Sequence, residues 1–88
     1  MQRGEEPVIL VFNATADTMA AEALAGEAGL RGALVIRPKN AIGNCGLALQ
    51  LQAADSTVLL KLLMARNIIP AGVYRQLDPS RWEIMDTK

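Results

Sequence analysis

Blocks of apolar residues are separated by short polar turns along the whole chain, and their period changes from block to block. Val8 to Phe12 is an unbroken apolar run, with Val8, Ile9 and Val11 β-branched, which predicts a strand covered on both faces. Asn13 to Thr15 is a turn, and Thr15 or Asp17 is placed to cap a following helix. That helix runs to Ala28, with Met19, Ala20, Ala23, Leu24 and Ala28 along one side and Gly29 as its stop. Gly32 to Arg37 reads as a second strand ended by Pro38. From Gly46 to Gln52 the period is two, with Leu47, Leu49 and Leu51 opposed to Ala48, Gln50 and Gln52, as in a strand with unlike faces. Asp55 or Ser56 opens a second helix through Arg66, whose apolar face is Val58, Leu59, Leu62 and Leu63, and Asn67 ends it. Ile68 to Tyr74 reads as a last strand interrupted by Pro70, so that end of it is expected at an edge.

This order predicts an α+β, ferredoxin-like βαββαβ fold. Two right-handed crossovers give a four-stranded antiparallel sheet with both helices on one face. The domain is expected to span residues 1–77, followed by a polar C-terminal tail, 78–88, that holds Trp82. A first strand apolar on both sides would leave the other sheet face open, as in a dimer contact or a ligand shelf.

Composition then narrows the functions. Nine basic and nine acidic residues cancel, whereas a nucleic-acid surface shows a basic excess. Phe12, Tyr74 and Trp82 are too few to stack bases across a sheet. The absence of histidine removes the usual zinc sites and every Ser-His or Cys-His pair within the chain. No phosphate loop and no spaced acid/base pair is present. A classical enzyme, a metal and a cofactor are therefore not expected. The polar start carrying Glu5 and Glu6 is not a signal peptide, and no apolar run approaches the ~18 residues of a membrane span. The expected location is the cytoplasm, with no membrane partner.

What chemistry there is gathers around the single cysteine, Cys45. A thiol reacts as thiolate, a minor species at neutral pH for a free pKa of about 8.5. Arg37 and Lys39 stand on the near side of the loop leading to it, and Asn44 and Gly46 flank it. A cation ~6 Å from the sulfur would favour the thiolate by roughly 0.7 kcal/mol in water and about 2.8 kcal/mol at an effective dielectric near 20. Gly43 and Gly46 leave room for backbone N–H groups to approach an anion on the sulfur. The bland alternative is an inert packed thiol, since Cys45 shares strand parity with Leu47 and Leu49 and free cysteine is among the most buried residue types.

Around this segment the chain resembles the DUF3343 family of small bacterial selenium/sulfur carrier-like proteins. The resemblance runs from about Val8 to Tyr74. It is strongest where Pro38-Lys39 is followed, after a short loop, by Cys45-Gly46-Leu47-Ala48. Thr15, Asp17, Met19, Ala20 and Glu22 also match, as does Gly72-Val73-Tyr74. The resemblance implies that Cys45 carries sulfur or selenium as a persulfide or selenylsulfide. It implies a cysteine desulfurase or selenocysteine lyase as donor and a selenophosphate-forming enzyme as acceptor. Lys39 stands where such proteins usually have arginine, so the charge is kept and the two-pronged fork is lost. The competing expectation is a ferredoxin-like module that binds small metabolites as a homodimer, with Cys45 structural.

Overall fold

The computed structural model describes residues 6–79 and 81–85. The polar start through Glu5, and Ser80 and 86–88 of the expected tail, lie outside the described residues. The chain forms β1 (Pro7–Val11), α1 (Thr15–Glu27), β2 (Ala33–Ile36), β3 (Leu47–Gln52), α2 (Ala53–Ala65), β4 (Gly72–Asp78) and β5 (Arg81–Ile84). All pairings are antiparallel, in the order β2-β3-β1-β4-β5.

The fold is α+β, and the ferredoxin-like expectation is met in outline only. The sheet has five strands instead of four. The last expected strand, Ile68 to Tyr74, is displaced: pairing begins after Pro70, where the Ala71 N–H donates to the Val11 carbonyl at 2.7 Å. Proline has no N–H to offer a ladder. Beyond residue 77 the expected tail turns back and supplies β5, so β5 takes the edge and β4 is interior.

Both helices lie on one sheet face. Val8, Leu10, Leu49, Leu51 and Val73 from the sheet pack with Ala21, Leu24 and Ala25 of α1 and Leu59 and Leu63 of α2. The stripe on α1 is rotated from its expected position, since Thr18, Ala21, Leu24 and Ala25 are buried and Met19 is half exposed. Alanine is found on both faces of this helix, so its spacing fixed no direction. Neither helix has a side-chain N-cap, contrary to the caps expected from Thr15, Asp17, Asp55 and Ser56. Ser56 donates instead to the Ala53 carbonyl at 2.7 Å. The helix stops are as expected, with Gly29 at φ 74° and Asn67 at φ 60°.

The far face is not open. Ile9, Val11 and Ala48 are buried there with Tyr74 and with Ala41 from the β2–β3 connection, and Val35 and Trp82 pack against them. The first strand is apolar on both sides because both sides are covered.

Candidate functional site

Residues 37–46 link β2 to β3 and carry Cys45 just before β3 begins. The loop is tied down along its length. The Arg37 N–H donates to the Gly46 carbonyl at 3.0 Å and closes its base. The Ala41 N–H donates to the Pro38 carbonyl at 3.0 Å, making a turn. Gly43, at φ 124°, lets the loop run close to the end of β1: a Cβ there would lie 3.0 Å from the Phe12 carbonyl oxygen. That same oxygen accepts from the Cys45 N–H at 3.1 Å.

These ties bring Cys45 against the first turn of α1. Its sulfur meets three hydrogen-bonding groups: the Thr18 hydroxyl at 3.3 Å, the Leu47 N–H at 3.4 Å and the Thr15 hydroxyl at 3.5 Å. The Cys45 carbonyl accepts from Arg37 Nε at 2.9 Å. Every polar atom of the cysteine is thus engaged. The residue is only 3 % exposed, yet it belongs to neither apolar cluster. Thr15, Asn44 and Gly46 beside it are exposed, so its cover is thin.

Donors aimed at a sulfur favour its ionised form. The hydrogen bond from Thr18 lowers the Cys45 thiol below its ordinary value, followed by those from Thr15 and the Leu47 N–H. Burial pushes the other way, and the charge of Arg37 adds the smallest downward push. The activating groups are therefore neutral donors first and the Arg37 cation last, whereas the sequence pointed to Arg37, Lys39 and backbone N–H groups without the two threonine hydroxyls.

The other expected site residues are distributed unevenly. Arg37 is at the site, but its guanidinium faces backbone carbonyls, with Nε on Cys45 and Nη1 on Ala41. Lys39 and Asn44 are exposed on the loop. Gly46 is exposed with open space where a Cβ would stand. The N–H that reaches the sulfur belongs to Leu47, one residue further on. Thr15 and Thr18, which meet the sulfur, carry no site role in the sequence reading. Their signal was two hydroxyls three positions apart, which share one helix face. Among the described residues, no group of acids and cysteine is arranged to hold a metal ion. No helix among them is long and apolar enough to cross a membrane.

No curated protein and no solved structure matches the chain. One family model does, over residues 8–75, a span that holds β1 through most of β4 together with Cys45, Thr15, Thr18 and Arg37. The chain belongs to the family described as "Putative Se/S carrier protein-like".

Proposed function

We propose that the protein carries sulfane sulfur or selenium on Cys45, as a persulfide or selenylsulfide, and hands it to an acceptor protein. The observation that carries this reading is the convergence of three hydrogen-bonding groups, each able to donate to a thiolate, on the chain's single cysteine. A carrier sulfur must be a nucleophile when it loads and a leaving group when it unloads. Both steps run through its thiolate. In loading, the Cys45 thiolate attacks the terminal sulfur of a donor persulfide. A new Sγ–S bond forms, the donor's S–S bond breaks, and the donor thiolate leaves with the electron pair. In unloading, an acceptor nucleophile attacks the outer atom and Cys45 departs as thiolate. Neither step changes the total oxidation level, so no cofactor is required. Thr15, Thr18 and the Leu47 N–H serve both steps by stabilising the same anion.

Family membership supports sulfur or selenium as the cargo. By resemblance, the donor is a cysteine desulfurase or selenocysteine lyase and the acceptor a selenophosphate-forming enzyme; the location we propose, on the polar start alone, is the cytoplasm. The protein acts as a carrier, without turnover chemistry of its own. Incubation with a cysteine desulfurase and cysteine should add the mass of one sulfur atom to the wild type and nothing to Cys45→Ser. A wild-type chain that takes up no sulfur, while its thiol still alkylates, overturns the reading.

A second reading is favoured by one feature. Leu60, Met64, Ile69, Val73 and Ile84 line a shallow apolar groove between α2 and β5. A metabolite-binding or dimeric module would use such a surface, with Cys45 structural. A single-protomer mass in native mass spectrometry, and no ligand-dependent rise in Tm, would leave the carrier reading alone.

A further inference from the structure

A cysteine that is 3 % exposed cannot present its sulfur to a donor enzyme's persulfide without movement. Cys45 belongs to the loop and not to β3, so lifting the loop lifts the sulfur away from α1. We infer that Arg37 and Tyr74 form a latch that holds this loop down, and that release of the latch admits the sulfur donor. The inference rests on the carrier reading for its purpose and on the loop's own bonds for its mechanism.

Arg37 extends from the end of β2, and its planar fork spans two carbonyls of the loop, those of Ala41 and Cys45. A lysine ammonium at this position keeps the charge but lacks the rigid pair of prongs that joins them. Tyr74 reaches the same loop from β4, on the face away from the helices: its phenol oxygen accepts from the Ile42 N–H at 2.9 Å. One tie therefore comes from each side of the sheet's middle strands. Between them Lys39, Asn40, Ile42 and Asn44 are exposed, and only Ala41 and Cys45 are buried. A segment with few buried apolar contacts opens by losing a handful of hydrogen bonds, well short of global unfolding. The latch adds to the cost of opening set by the Cys45 N–H bond to Phe12 and the bonds to the sulfur, and Arg37 thereby acts as a positioning residue for Cys45.

The test is the rate at which iodoacetamide modifies the folded chain, read by intact mass across pH. Arg37→Lys keeps the charge and loses the fork, and Tyr74→Phe loses the phenol oxygen alone. Each should raise the high-pH plateau rate about tenfold, the size of effect that losing one or two such bonds produces. The pH midpoint should stay nearly in place, because Thr15, Thr18 and the Leu47 N–H are untouched. Leu62→Ala, in α2 and packed against the helix-side core, supplies a control of comparable destabilisation. Either latch variant alkylating at the wild-type rate overturns the inference, and so does an equal acceleration in Leu62→Ala. A latch that passes this test in a protein that never accepts sulfur from a desulfurase would refute the carrier reading alone.

Discussion

Thr18 has one hydroxyl proton and two acceptors at the same distance, the Ala14 carbonyl and the Cys45 sulfur, both at 3.3 Å. When the sulfur ionises it becomes the stronger acceptor, and the proton turns to it. Thr18→Val keeps the shape and removes the donor. The thiol should then ionise at higher pH, seen as an upward move in the midpoint of the alkylation profile. Thr15→Val should move it the same way by less, and both should slow sulfur uptake near neutral pH. The same lowering couples to folding. The unfolded thiol holds its proton to higher pH than the folded one, so stability rises with pH between the two values. The contribution is complete above the free-thiol value, near 8.5, and is lost as pH falls through the lowered folded value. Chemical denaturation from neutral pH to about pH 9 should show the wild type gaining stability relative to Cys45→Ser; a gap that narrows as pH rises would contradict the hydrogen-bond assignment. At this scale the cysteine stood out in the sequence because it is unique. Its activators did not, because charge draws attention before hydroxyls do, and only the fold brings α1 to the loop.

The β2–β3 connection depends on one glycine and is indifferent to another. At Gly43 a side chain meets both a positive φ and a backbone oxygen at 3.0 Å. Gly43→Ala should therefore cost about 1–3 kcal/mol of stability. Gly46 has neither constraint, and Gly46→Ala should stay within about 0.5 kcal/mol of wild type. Urea unfolding of the two variants side by side distinguishes them, and equal losses would mean that the loop does not run against β1 as described. The elements themselves were legible where a period was unambiguous. Leu47, Leu49 and Leu51 on β3 and the stops at Gly29 and Asn67 follow directly from spacing. The β4–β5 hairpin was missed although Arg81-Trp82-Glu83-Ile84 alternates, because charged residues at an edge resemble a tail. Its cross-strand pair, Arg75 with Glu83 at 2.7 Å, is about half exposed on both sides. Glu83→Gln should cost no more than about 1 kcal/mol.

At the scale of the molecule, helices cover one sheet face, and on the other Tyr74, Ala41 and Trp82 cover the centre around Ile9 and Val11. Element order made the two-helix layer readable. The cover on the far face was not, because it comes from a loop and from a strand whose sequence is polar like a tail. A small domain has little excess stability: at 0.05–0.15 kcal/mol per residue, a chain of this length has roughly 4–13 kcal/mol in all. Leu63, fully buried between α2 and the sheet, should cost about 2–5 kcal/mol when cut to alanine, a large share of that total. This separates two routes to the sulfur. Local opening of the loop exposes little surface and so depends weakly on urea, whereas global unfolding depends on it steeply. Alkylation of Cys45 should be flat at low urea and then rise along the unfolding curve. In Leu63→Ala the flat part should keep its height and end at lower urea. A flat part that rises in Leu63→Ala by the same factor as the unfolded fraction would mean that Cys45 is reached only by unfolding the domain. A thiol reached only in that way could not exchange sulfur with a folded partner.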